Sequence, residues 1–80
     1  MKPHQIEKIK SLRSKGNRVY AIDGCLIFVH QHNDWYRANT GHEDFWYKIT
    51  AELKYRPTFE DAVSDMVTFA RRHGLQEVVE

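Results

Sequence analysis

The chain carries one cysteine, so it cannot close an internal disulfide, and a reducing compartment is its expected setting. With two prolines, four glycines and no low-complexity stretch, it leaves no room for a linker, which implies a single domain over residues 1–80. No apolar run approaches the ~18–20 residues needed to span a bilayer. Polar residues stand where a signal peptide would be apolar, so the expected location is cytoplasmic, away from any membrane. The sequence also lacks a P-loop, a G-x-S-x-G elbow and an H-E-x-x-H pair, and its glycines are scattered as turn and cap residues. Net charge is nearly absent, 12 Lys and Arg against 11 Asp and Glu. What remains is a globular balance of 41% hydrophobic and 29% charged residues. A chain of this size buries only roughly 60–65% of its unfolded surface, so its stability is modest.

Periodicity supplies the elements. Ile6, Ile9 and Leu12 form an apolar stripe about 120° wide on a first helix, Met1 to Lys15. Pro3 suits its first turn, and Gly16-Asn17 stops it. Arg18 to Leu53 then reads as sheet. Asp23-Gly24 between two β-prone runs predicts a hairpin, because a type I′ turn needs positive φ at both central residues. With a two-residue loop, Tyr20, Ile22, Cys25, Ile27 and Val29 share one face, and Val19, Ala21, Leu26 and Phe28 the other. Both faces are apolar, which suits a central position in the sheet or a second face covered by a partner.

Trp35 to Ala38 is expected as a third strand and Asn39 to Asp44 as a loop. Phe45 to Leu53 alternates apolar with polar residues and predicts a fourth strand. Thr58 is a natural N-cap, with Asp61 at the reciprocal position, and opens a second helix. On that helix Phe59, Ala62, Val63, Met66, Val67, Phe69 and Ala70 fall within an arc of about 160°, and Gly74 ends it. Gln76 to Glu80 fits a frayed tail and a short strand equally. The expected fold class is therefore α+β: a two-layer sandwich of an N-terminal helix, an antiparallel sheet of three to four strands and a C-terminal helix, with both helices on one face.

Candidate chemistry is sparse. His30 and His32 at i, i+2 on a strand point to one face, which is how strands present imidazoles to a divalent metal, with His42 or a nearby acid as a third ligand. The same residues also serve as polar strand ends or as a pH-sensing pair. Cys25 begins an apolar strand and packs as a small hydrophobe rather than acting as a nucleophile. The absence of catalytic patterns, with little depth for a pocket of ~300 Å³, argues against an enzyme and against a cofactor.

Charge is more informative. Through Arg18 there are six bases (Lys2, Lys8, Lys10, Arg13, Lys15, Arg18) against Glu7 alone, net +5; residues 19–80 hold six bases and ten acids, net −4. A basic first helix suits phosphates, which makes Lys8, Lys10, Arg13, Lys15 and Arg18 candidate nucleic-acid contacts, with the sheet aromatics available to stack on unpaired bases. Ten aromatic residues among 80 are generous, and Trp35, Tyr36, Arg37 and Trp46 have the composition of a protein-interface hot spot. The first expectation is therefore a small non-enzymatic protein-binding module. It would be an inhibitor or adaptor of the kind phages and mobile elements encode, acting on another protein or on a second copy of itself. A nucleic-acid binder is the alternative, and a divalent-metal protein the third.

Overall fold

The computed structural model describes residues 3–79, with side chains from residue 5 onward; the expected helix start at Met1 and Lys2, and Glu80 of the tail, lie outside the described residues. The elements run α1 (Pro3–Ser14), β1 (Tyr20–Ile22), β2 (Cys25–His32), β3 (Trp35–Thr40), α2 (Glu43–Glu52), α3 (Phe59–Arg72) and β4 (Gln76–Glu77). The four strands form one antiparallel sheet in the order β3-β2-β1-β4. The α+β class, the antiparallel sheet and a helix near each end agree with the sequence reading.

Local chemistry accounts for most of these boundaries. Asp23 (φ 49°) and Gly24 (φ 80°) both sit in the left-handed region, and Ile22 pairs with Cys25, so the hairpin loop is the two-residue kind that the Asp-Gly pair favours. A second two-residue loop, Asn33-Asp34, joins His32 to Trp35, with Asn33 at φ 57°. Helices α1 and α3 end alike. Asn17 N–H donates to the Leu12 carbonyl and Gly16 N–H to that of Arg13; Leu75 and Gly74 repeat this on Ala70 and Arg71. Each is a Schellman cap with a left-handed glycine at its C′ position.

The apolar residues divide into two clusters on the two faces of the sheet. Tyr20, Ile27, Val29 and Ala38 pack with Phe45 and Ile49 of α2 and Ala62, Met66, Phe69 and Ala70 of α3. Val19 and Phe28 pack with Ile9 of α1, joined by Leu12, Leu26 and Val78. The sheet with α2 and α3 thus makes the two-layer sandwich, while α1 lies on the reverse face. The expected placement of both terminal helices on one side is corrected in that respect. The reason is the two-faced hairpin: successive β2 residues point to opposite sides, so Phe28 needed a cover of its own, and α1 supplies it.

The larger correction concerns the strand expected over Phe45 to Leu53: Phe45 to Glu52 lie in helix α2, and Leu53 is its extended C-cap. Phe45 and Ile49 are buried one turn apart, while Tyr47 is 60% exposed. The His42 side chain caps α2 by accepting from Phe45 N–H, and Glu43 and Asp44 in the first turn suit the positive helix end. Strand β3 also runs two residues further than expected, to Thr40, and β4 gives the tail a short strand paired with β1.

Candidate functional site

The reverse face of the sheet is only partly covered by α1. Cross-strand pairing places His30 opposite Arg37 and His32 opposite Trp35, and Phe28 opposite Asn39, all on the α1 side by the alternation that puts Phe28 there. A further segment extends this row. Tyr36 and Arg56 exchange backbone hydrogen bonds of 2.8 Å in both directions, so the chain after α2 runs along the outer edge of β3. Arg56 turns to Asp61 and Asp65 of α3 (3.6 and 3.2 Å), and Tyr55, its neighbour, turns to the other side.

The resulting surface is a row of rings and cations. The Lys8 Nζ stands 4.9 Å from the centroid of the Phe28 ring, and Phe28 in turn stacks on His30 at 4.3 Å and 24°. The Arg37 guanidinium lies 4.3 Å from the Tyr55 ring centroid, and His32 meets the same ring at 5.8 Å. Phe28 is buried and backs His30, whereas Trp35 is 49% and Tyr55 42% exposed. Three shallow depressions of about 490, 150 and 290 Å³ follow the row from Lys8 and Phe28, past His30, Arg37 and Asn39, to His32, Trp35 and Tyr55. None of their lining residues is a carboxylate. The packing around its ring and the Lys8 charge hold His30 below its ordinary value, so it faces this surface as a neutral imidazole at pH 7.

The residues expected at a protein interface do not come together. Trp35 and Arg37 belong to this face, Tyr36 points the other way onto the core against Phe59 (5.9 Å, edge-on), and Trp46 sits on α2, edge-on to Tyr47. The basic set also divides. Lys8 reaches the sheet, Arg18 forks onto Glu77 with bonds of 2.7 and 2.8 Å, and Lys15 borders Phe59, Glu60 and Val63 near the start of α3. Lys10 and Arg13 are exposed on α1.

The three candidate metal ligands are not brought together: His30 stacks on Phe28, His32 meets the Tyr55 ring, and His42 caps α2 and meets Asp23 at 3.2 Å. Among the described residues no three His, Cys, Asp or Glu side chains are grouped to hold a metal ion. Cys25 is half-buried beside the hairpin turn. Sequence reasoning missed Tyr55, because it lay between what looked like a strand and a helix; its only signal was an aromatic residue beside Arg56-Pro57 at the start of a connection. Among the described residues no helix is long and apolar enough to cross a membrane. Compared with known families, curated proteins and solved structures, the chain matches none.

Proposed function

We propose that this protein binds single-stranded nucleic acid along the open half of the sheet. The observation that carries the reading is the combination on one surface of exposed rings, two fixed cations and no lining carboxylate. Stacking on aromatic side chains serves any unpaired base, and cations beside the rings meet the phosphates between the bases. The surface is shallow and continuous rather than a closed pocket, which suits a strand laid across it. No catalytic group is assigned, and the activity proposed is binding alone.

Fluorescence anisotropy of a labelled ten-nucleotide single strand and of the matching duplex tests this. The single strand should bind more tightly, with a salt slope near −1.4, about 0.7 for each of Lys8 and Arg37. Trp35→Ala or Tyr55→Ala should each weaken binding by about 5- to 150-fold, the worth of one stacked base. Lys8→Glu should weaken it and flatten the slope, while Lys15→Glu should change little. Equal binding of duplex and single strand, or equal effects of the two lysine reversals, would overturn the sheet-face reading in favour of a basic-helix one.

A second reading, docking of another protein, is favoured by Trp46 and Tyr47, which stand 40% and 60% exposed with ring centroids 5.1 Å apart on the outer side of α2. Trp46→Ala separates the two. It leaves oligonucleotide affinity unchanged, and under the second reading it abolishes nuclease-resistant capture of a protein partner.

A further inference from the structure

Two of the depressions adjoin, share His32 and Tyr55, and differ in chemistry. The smaller, about 150 Å³, is lined by polar groups that include Arg37, Gln31, Asn39 and His30. Arg37 is half-buried, and its environment is unlike that of three other arginines. Arg18, Arg56 and Arg72 each have a carboxylate within 4 Å, whereas Arg37 has a tyrosine ring on its flank and no acidic partner among the described residues. Its Nε is shut off from water without a hydrogen-bond partner. A guanidinium lying over an aromatic ring, partly desolvated and unneutralised, is prepared for an external anion, and its planar fork suits phosphate. The larger neighbour, about 290 Å³, is lined by the rings of His32, Trp35 and Tyr55. It is the kind of slot that takes a flat heterocycle.

We infer that the two depressions together form a single nucleotide subsite, with the base against Trp35 and Tyr55 and its phosphate on Arg37. The spacing supports the pairing. Arg37 and Trp35 stand two residues apart on β3 and point to the same side, about 7 Å from one another, a span comparable to that from phosphate to base across a ribose. Asn39, on the same side of β3 as Arg37, adds a side-chain amide suited to sugar hydroxyls or phosphate oxygens. The inference rests on the nucleic-acid reading of the face and goes further in fixing where a phosphate sits and what holds it.

The experiment uses the full chain with Trp46→Phe, which leaves Trp35 as the sole indole. Its emission is titrated with uridine, uridine monophosphate, inorganic phosphate and uridine hexanucleotide. The monophosphate should quench Trp35 saturably and bind about tenfold or more tightly than the nucleoside. Inorganic phosphate should compete only weakly. Arg37→Met, which keeps the stem over Tyr55, should erase the preference for monophosphate over nucleoside with an unchanged circular dichroism spectrum. Tyr55→Leu should weaken both ligands. Affinity rising with length identifies the polymer as the source of the nucleotide, and equal affinity for monomer and hexamer identifies the free nucleotide. Equal binding of nucleoside and monophosphate overturns the subsite, as does a preference that survives Arg37→Met. Hexanucleotide binding seen by anisotropy with Trp35 emission unmoved removes the subsite and leaves the sheet-face reading standing. No binding of any oligonucleotide removes both.

Discussion

Asn17 shows how much a single side chain is asked to do here. It is 5% exposed, sits one residue past the glycine that ends α1, and points at the middle of β2. Its amide donates to the Val29 carbonyl at 3.0 Å and accepts from Val29 N–H at 3.2 Å and from Arg18 N–H at 2.9 Å. It therefore acts as one residue of an extra strand, satisfying backbone groups beyond the end of β1. Asn17→Ala should strand these buried polar groups and lower stability by about 1–3 kcal/mol, measured as a fall in the urea midpoint at unchanged m-value. Asn17→Asp keeps the acceptor but loses the donor to Val29, and should also be destabilising. From sequence, Gly16-Asn17 was readable as a helix stop. That Asn17 would reach β2 was not, because the contact joins residues 12 apart and depends on how the helix docks.

At the scale of elements, the misreading of α2 has a specific cause. Phe45, Ile49 and Leu53 recur every four residues, and four is both close to a helical turn and a multiple of the strand period of two. The intervening Tyr47 and Ala51 decide between them, and both are exposed. The start signal was obscured as well, since histidine is not among the usual N-caps, yet here its ring nitrogen accepts the Phe45 N–H. Ile49→Ala should therefore cost about 2–5 kcal/mol through the cavity it leaves, while Tyr47→Ala should move the melting temperature only slightly. Two strongly unequal losses support a helix, whereas two similar large ones would restore the strand. The hairpin and α3 were legible for the opposite reason. Asp-Gly is tied to one turn geometry, and seven apolar residues on one side of a 14-residue helix fit no strand. The open site face was half legible: the residue types on β2 and β3 were visible, but its completion by Tyr55 needed the edge pairing of Arg56.

At the scale of the whole molecule, three titrating groups act in the same direction. Packing around its ring, then the Lys8 charge, hold His30 below its ordinary 6.5. Its contribution to stability is full above that value and is lost as pH falls through the lowered one. Hydrogen bonding from Arg18 lowers Glu77. Burial pushes Glu52 upward, but hydrogen bonds from His73 (2.8 Å) and Arg72 (2.7 Å) outweigh it and leave it lowered. Both carboxylates stabilise fully above their ordinary 4.5, and that stability fades as pH drops through their folded values. The melting temperature should accordingly fall in two stages on acidification, the first beginning near 6.5 and removed by His30→Gln, the second below 4.5 and reduced by Glu77→Gln. A melting temperature flat from pH 7 to 5 would contradict the His30 assignment.

The pairing of β1 with β4 also sets a timetable. β1 meets β2 across two residues of turn, but its other edge waits for residues 76–78, where Val78 N–H reaches the Val19 carbonyl at 2.8 Å and Glu77 meets Arg18 across 59 positions. On the ribosome, the hairpin and α1 emerge long before their closing strand. Throughout that interval β1 offers its unpaired backbone to any neighbouring chain. Deleting residues 76–78 should accordingly leave that edge open and make the chain more prone to associate, read by light scattering against the full chain.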